Sequence, residues 1–262
     1  MIAIHRMCLV LALSAGCLAA NPFSDSLLQD EGFWGDGKAE IAVFDARERV
    51  YGTLRQTEVR HILVRENFAA DELVKADNWQ APGTYPVIKL NQVITIPTGS
   101  YRYDQGHSAF WRQDSGELIK FTSTTNDSCG LSYKHAELDD GEWEYEARTY
   151  WEGMSEVEAE EKAPQGALFY DELPFRLRTI NWGRTTLFEA PLMDSVIDSK
   201  ADELSWKSAA FAIARVPQGW RVTIKHARGT DRMFFDTKAP FTLNEWQRWD
   251  GSSLKRKHLI RL

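Results

Sequence analysis

The sequence predicts a mainly β fold, an antiparallel meander that forms a curved sheet or an open barrel with one short helix. Three observations lead to this prediction. Short runs alternate between apolar and polar residues, clusters rich in Gly, Pro, Asn and Asp separate them, and one stretch has helical spacing. The clearest run is Glu142–Trp151, where Trp143, Tyr145 and Trp151 fall on one face and glutamates on the other. Such alternation is typical of a strand with one solvated face.

The middle of the chain is expected to hold three successive strands. Glu117–Thr125 and Leu131–Leu138 flank residues 126–130, a run that favours turns through local hydrogen bonds and tolerance of positive φ. Residues 139–141 then turn the chain into Glu142–Trp151. Turns this short predict antiparallel hairpins.

The N-terminal third reads as a leader followed by further strands. The leader, Asn21–Gly32, is polar and is expected to be a tether or a docked segment. Asn67–Lys75 is consistent with a short helix or with a loop over the sheet, and His107, next to Gly106, is expected in an exposed turn. The expected strands are Lys38–Ala46, Arg49–Gln56, Glu58–Glu66, Tyr85–Ile96, Ser100–Tyr103 and Ser108–Gln113.

The C-terminal part begins with an acidic segment and the helix candidate. Gly153–Lys162 is rich in glutamate, which indicates a solvated strand edge or a linker. Tyr170–Asn181 is the expected helix, with Asp171 as its cap and Pro174 in its first turn. Ala190–Ser205 is expected to be a loop with a helical turn. The strands that follow are Ser208–Val216, Gly219–Ala227, Asp231–Asp236, Phe241–Trp249 and Ser253–Leu262.

Size and charge limit the class of protein. The chain has 262 residues, of which 43% are hydrophobic, and includes ten tryptophans, enough for one large β domain. We expect residues 33–262 to be that single domain, with a boundary near residues 152–165 as the alternative. A net charge of −7 argues against a nucleic-acid partner, which requires a concentrated positive surface.

The first twenty residues predict export. Arg6 precedes Met7–Leu18, a short apolar run that is typical of a secretory signal and too short for a stable membrane span. Two processing routes stay open. The run that ends at Cys17 resembles a bacterial lipobox, so Cys17 would be lipidated and would become the mature N-terminus, although Ser14 stands where a lipobox has leucine. The other route is cleavage after Ala20. Both routes place the protein in the periplasm or cell envelope, and the first makes it a lipoprotein of a membrane such as the outer membrane.

Cys129 is the candidate nucleophile, since it is the one cysteine left in the mature domain. Asp127 lies two residues before it and His135 six residues after it on the adjoining strand, so a thiolate–imidazole pair needs His135 to point back toward the turn. The alternative is a small buried residue in a tight turn. The sequence lacks HxH and HExxH spacing, nucleophile elbows and phosphate loops, so we expect no metal and no cofactor.

Aromatic residues provide the candidate ligand site. Trp143, Tyr145 and Trp151 on one strand face, together with Trp220, are suited to line a curved sheet and hold an acyl chain. The alternative is that they form the core of a large β domain. His61 and His226 each fall on an apolar strand face and are expected to be hydrogen-bonded core residues.

Several short segments carry a family resemblance: Trp34 with Gly37–Glu40, Tyr51 with Gly52, Val87–Asn91, Gly99–Tyr101, Lys120–Thr124, Cys129 with Gly130, and Asp171 with Glu172. They resemble bacterial envelope lipoproteins that often carry the label "septum formation inhibitor Maf". The label is misleading, because Maf nucleotide pyrophosphatases are cytoplasmic α/β proteins with a Ser-x-Arg-Arg loop, which this chain lacks. The resemblance implies an envelope protein and transfers no catalytic or binding residue. The C-terminal half, with Pro240–Leu243, is also similar to open-barrel proteins related to lipoprotein carriers, which is a likeness of fold alone.

Three functions follow from these observations. The first is a non-enzymatic envelope protein, lipid-anchored or periplasmic, that binds a hydrophobic or lipidic ligand on its curved sheet. The second is a secreted hydrolase or thiol-dependent transferase that uses Cys129. The third is a structural partner in envelope assembly.

Overall fold

The computed structural model of the chain describes residues 21–128, 130–201 and 203–262. Within these ranges sixteen strands form one sheet, which confirms the predicted mainly β fold. The elements in chain order are α1 (Glu31–Trp34), β1 (Glu40–Val50), β2 (Thr53–Ala69), β3 (Val74–Lys75), β4 (Thr84–Pro97), β5 (Arg102–Arg112), β6 (Leu118–Asp127), β7 (Gly130–Asp139), β8 (Glu142–Arg148), β9 (Glu156–Glu161), β10 (Leu168–Phe169), α2 (Leu173–Arg176), β11 (Leu187–Met193), β12 (Trp206–Val216), β13 (Gly219–His226), β14 (Gly229–Phe235), β15 (Leu243–Gln247) and β16 (Ser253–Arg261).

Apart from the edge strand β10, which pairs parallel with β11, the sheet is a long antiparallel meander that remains open. The first and last long strands, β1 and β16, pair with each other, so the two halves of the chain join in one sheet. Strands β9 and β10 stand at the two ends of the strand order. Residues 162–167 connect these two edges, and we refer to the gap that they cross as the seam. Gly153–Lys162 therefore provides the solvated edge strand that its glutamates indicate.

A central segment, residues 170–179, packs against the inward face of the sheet. It consists of the 3-10 turn Tyr170–Glu172, the single α-helical turn α2, and the 3-10 turn Leu177–Thr179. The expected helix from Tyr170 to Asn181 is therefore mostly 3-10. Asp171 does not cap it, because its carboxylate accepts hydrogen bonds from Ser195 Oγ at 2.6 Å and Val196 N at 2.7 Å. Pro174 occupies the first turn of α2 as predicted.

One row of polar side chains crosses the inward face of five neighbouring strands. Each member stands directly opposite the next in the strand register, and each is at most 6% exposed. Val59 and Ile94, on one side of the row, belong to one apolar cluster, while Leu63 and Leu90, on the other side, belong to a second. The row therefore separates two apolar cores. Its members, referred to below as the polar row, are His61, Gln92, His107, Ser123 and Lys134.

His107 corrects one expectation. The sequence suggested an exposed turn at Gly106 and His107, but β5 runs unbroken from Arg102 to Arg112 and buries His107. Gly106 remains in the ladder opposite Thr124, where an added Cβ would come within 3.2 Å of Thr124 Oγ1. Burial lowers the pKa of His107 and lowers that of His61 to about 3, so both imidazoles are neutral at physiological pH.

Three further expectations need correction or refinement. Leu187–Met193 is a strand that starts the second half of the meander, although Ala190–Ser205 was expected to be a loop. Strand β8 ends at Arg148, so Trp151 lies beyond it. Asn67–Lys75 is neither helix nor plain loop, because Phe68 and Ala69 pair with the short strand β3.

The leader is docked onto the sheet. Leu27 and Leu28 are buried in the second apolar core, and the indole nitrogen of Trp34 donates to the backbone oxygen of Leu27 at 2.6 Å. Phe23 forms an isolated antiparallel bridge with Ile180 at the end of the central segment. The docked alternative is therefore the correct one.

Arg178 fixes the central segment to β1 and supports a first prediction. Its guanidinium donates to both carboxylate oxygens of Glu40, at 2.8 and 3.2 Å, and both side chains are at most 5% exposed. Arg178→Met is expected to lower the free energy of unfolding by about 3–5 kcal/mol, because Glu40 stays buried without its counterion. Urea unfolding followed by tryptophan fluorescence measures this loss.

The control is Arg60→Met, which removes an exposed ion pair with Glu58 and should cost under about 1 kcal/mol. Equal losses in the Arg178 and Arg60 variants would contradict the structural role of the buried pair.

Candidate ligand cavity

A cavity of about 860 Å³ lies at the seam. Residues 163–167, which connect the two edge strands, form one part of its lining. Further lining comes from the turn between β5 and β6, from strands β6, β7, β8, β10 and β11, from the start of the leader and from the central segment. This space, called the seam cavity below, is large enough for a small-molecule ligand.

An apolar wall covers one side of the seam cavity. Trp143 points inward because β8 alternates, and its ring meets that of Phe169 edge-on with centroids 4.8 Å apart. Leu118 and Leu168 line the same cavity and are buried. Phe188 also lines it. Aromatic and aliphatic surfaces of this kind favour an apolar ligand.

Two ionisable groups of the central segment line the same cavity. Glu172 is buried and accepts hydrogen bonds from Trp111 Nε1 and from Phe169 N, both at 2.9 Å. Burial raises the pKa of Glu172 and lowers the pKa of Arg176. Arg176 donates to the backbone oxygen of Gly116 at 3.3 Å, and its guanidinium lies 4.0 Å from the ring centroid of Phe23. The seam cavity therefore combines an apolar wall with the charged side chains of Glu172 and Arg176, a lining that suits an amphiphilic molecule.

The four aromatic residues suggested by the sequence do not form one site. Trp143 lines the seam cavity, and Tyr145, two residues on, is buried in the same apolar core without lining it. Trp151 lies outside β8, where its Nε1 donates to Ser199 Oγ at 3.2 Å. Trp220 packs on Trp182 at the margin of the other core, with ring centroids 5.3 Å apart.

Most of the cavity lining was missed by sequence reasoning. Phe23, Arg176 and Phe188 come from three distant parts of the chain, and nothing local marks them as neighbours. The signal available was the glycine and proline content of residues 163–167, which indicates an irregular connection at a sheet edge.

The structure also separates two of the suggested catalytic residues. Asp127 ends β6 on the inward face and stands opposite Gly130. His135 stands opposite Thr122 on the outward face, with its Nε2 3.0 Å from Glu137 Oε1. The two positions are therefore five residue steps apart along the strands, about 16 Å. Cys129 and the lipidation candidate Cys17 lie outside the described residues.

Asp127 supports a prediction about pH. Burial raises its pKa to about 6 from an ordinary value of 3.8, so the folded state binds more protons than the unfolded chain between these values. The free energy of unfolding of the unchanged protein should therefore fall as the pH rises from about 4 to about 6. Asp127→Asn should make this fall smaller, as measured by urea unfolding at a series of pH values; Glu172, whose pKa burial also raises, keeps its own contribution.

The matched control is Asp71→Asn in an exposed turn, which should keep the pH dependence of the unchanged protein. If Asp127→Asn left the pH profile unaltered, the buried carboxyl would not be its source.

Comparisons with known proteins bear on the fold alone. No family model and no curated protein matches the chain, so the resemblance to the Maf-labelled envelope lipoproteins stays a prediction. Among the described residues, no helix has the length and apolar character needed to cross a membrane. A crystal structure of a beta-barrel-like protein of the domain of unknown function DUF1849 from Brucella abortus is similar to this chain. The TM-score is 0.51 at 12% identity, over 86% of this chain and 98% of that one, so the two proteins share a barrel-like fold.

Proposed function

We propose that the protein is an exported envelope protein, anchored to a membrane through lipidated Cys17, that binds a hydrophobic or lipidic ligand in the seam cavity without transforming it. The observation that carries this proposal is the seam cavity itself, with an apolar wall beside Glu172 and Arg176. A molecule with an acyl chain and a polar end matches both parts of the lining.

The size of the seam cavity suits a small-molecule ligand. Its rim is open to solvent, because Glu117, Gln165 and Glu189 are exposed. The seam cavity, at about 860 Å³, falls within the range of small-molecule sites. An acyl chain could therefore bind in the seam cavity without rearrangement of the two apolar cores.

The proposed anchor and the seam cavity lie near each other along the chain. Asn21 lines the cavity and is four residues from Cys17. Four extended residues span at most about 14 Å. A protein anchored at Cys17 would therefore hold the seam cavity close to the lipid surface, where an acyl ligand is available.

Ligand binding is tested by filling the cavity. Ala167 lines the seam cavity and is half-buried, so Ala167→Trp should occupy part of the space. The unchanged protein is expected to bind the apolar dye N-phenyl-1-naphthylamine saturably and to release it to palmitate. The variant should bind the dye at least tenfold more weakly, as measured by dye fluorescence.

Ala70→Trp is the control, because Ala70 is exposed and does not line the cavity. Saturable dye binding that is equal in all three proteins would place the dye elsewhere. Absence of saturable binding in the unchanged protein would refute the proposed function.

The anchor is tested separately by the mass of the mature protein. Lipidation predicts a mature chain that starts at Cys17 and carries acyl groups, and Cys17→Ala should release the protein from membranes into the soluble periplasmic fraction. Cleavage after Ala20 instead predicts an unmodified chain that starts at Asn21. Intact-mass spectrometry after expression in a bacterial host distinguishes the two, and the second result would remove the anchor from the proposal.

A further inference from the structure

One cationic side chain of the seam cavity lacks a counterion. Arg178, two residues further along the central segment, pairs with Glu40, and Arg248 pairs with Glu48. Arg176 is half-buried, lines the seam cavity and forms no ion pair with any carboxylate of the residues that the structure describes. Because a charge that is partly removed from water is costly without an opposite charge beside it, this guanidinium indicates an anionic partner.

Two protein contacts hold the Arg176 guanidinium in place. Its Nη1 donates to the backbone oxygen of Gly116 at 3.3 Å, and the guanidinium lies 4.0 Å from the centroid of the Phe23 ring. Gly116 has a φ of 68°, and an added Cβ there would come within 2.6 Å of Leu28 Cδ1 and 3.3 Å of Arg176 Nη1. The turn therefore requires glycine to approach Arg176 this closely. The cation is positioned before any ligand binds.

The free edge of this guanidinium has the geometry that an acid group requires. Nε and Nη2 of Arg176 donate to no described residue, and neither is among the buried atoms without a partner, so solvent reaches both. These two groups share one edge of the planar guanidinium. Two parallel N–H bonds from such an edge bind two oxygens of a carboxylate or phosphate. Arg176 therefore presents an accessible pair of donors to the seam cavity.

Three carboxylates also line the seam cavity, and none of them accepts a hydrogen bond from this edge. Glu172 is buried, and each of its oxygens already accepts a hydrogen bond from a protein donor at 2.9 Å. Burial also raises the pKa of Glu172, which favours its neutral form. Glu117 and Glu189 are exposed at the rim, where water and salt screen their charges. We expect a bidentate pair with Arg176 to outweigh the repulsion that these carboxylates exert on an anion.

We propose that the seam cavity selects amphiphiles whose polar end is an anion, a carboxylate or a phosphate, held by the Nε and Nη2 groups of Arg176. The acyl chain lies along the apolar wall that includes Trp143, Leu168 and Phe188. This inference rests on the proposed function, since it assigns the charge of the ligand that the proposed function requires. The anion belongs to a free fatty acid or to the phosphate of a lipid head group, and both sources share the same pairing chemistry.

The test compares four amphiphiles that share a chain length and differ at the polar end. They are dodecanoate, dodecyl phosphate, dodecanol and dodecyltrimethylammonium, each used below its critical micelle concentration. Each competes with N-phenyl-1-naphthylamine bound to the full chain, and dye fluorescence follows the displacement. At least one of the two anions should bind at least tenfold more tightly than dodecanol and the cation. Tighter binding of dodecanoate assigns the source to free fatty acids, and tighter binding of dodecyl phosphate assigns it to phosphorylated lipids.

Three variants connect the preference to Arg176. Arg176→Met removes the guanidinium, and it should weaken binding of the preferred anion at least tenfold while the affinity for dodecanol stays within about twofold. Arg112→Met is the matched control, because Arg112 pairs with Asp114 beside the same turn and does not line the seam cavity, so it should keep the preference. Arg176→Lys retains the charge and loses the paired donors, so the anion should bind at least threefold more weakly than to the unchanged protein.

Dye binding and charge preference separate two possible failures. Saturable dye binding without preference for an anion overturns this inference and leaves the proposed function standing, whereas absence of dye binding overturns both. A preference that survives in Arg176→Met, or that Arg112→Met loses to the same extent, also overturns the inference. If Arg176→Met no longer binds the dye, Arg176→Lys decides, and undiminished anion binding by that variant overturns the inference.

Discussion

The polar row is the constraint on which the interior of this protein depends. Polar side chains on the inward face of a β fold require partners. Three members of the row, Gln92, Ser123 and Lys134, find them in backbone oxygens of other segments. Gln92 Nε2 donates to the backbone oxygen of Asp171 at 2.7 Å, and Lys134 Nζ donates to that of Val196 at 2.8 Å. Ser123 Oγ donates to the same oxygen of Val196 at 3.3 Å. Apolar packing alone would let these segments slide, whereas hydrogen bonds at fixed positions in the strand register give them one location.

The central segment lines two separate cavities. Tyr170 and Asp171 line one of about 150 Å³, while Glu172 and Arg176 line the seam cavity. The carboxylate of Asp171 accepts hydrogen bonds from Ser195 and Val196, which belong to the connection that follows β11. These bonds fix that connection to the central segment. A stretch of seven residues thus contributes to two chemically different spaces, because 3-10 and α-helical turns in succession direct neighbouring side chains to different sides.

The sequence predicted the strands better than the interior. Alternation in Glu142–Trp151 identified β8 and the inward direction of Trp143, since the period of two depends only on local residues. It could not show that β8 ends at Arg148. The expected exposure of His107 was wrong because glycine usually marks a turn, whereas Gly106 relieves a close approach between strands. The seam cavity was out of reach, since Phe23, Trp143 and Phe188 become neighbours only through the sheet order.

The open edge at the seam has a mechanical consequence. In a closed barrel the circumference is fixed by strand number and stagger, so widening the lumen means breaking rungs of the ladder. Here β9 and β10 end the strand order, and residues 162–167 are the covalent link between them. The circumference of the sheet can therefore change by separating side chains across the seam. The backbone hydrogen bonds between strands on both sides of the seam stay intact. Ligands of different size would separate the two edges of the seam to different extents, while the rest of the sheet stays the same.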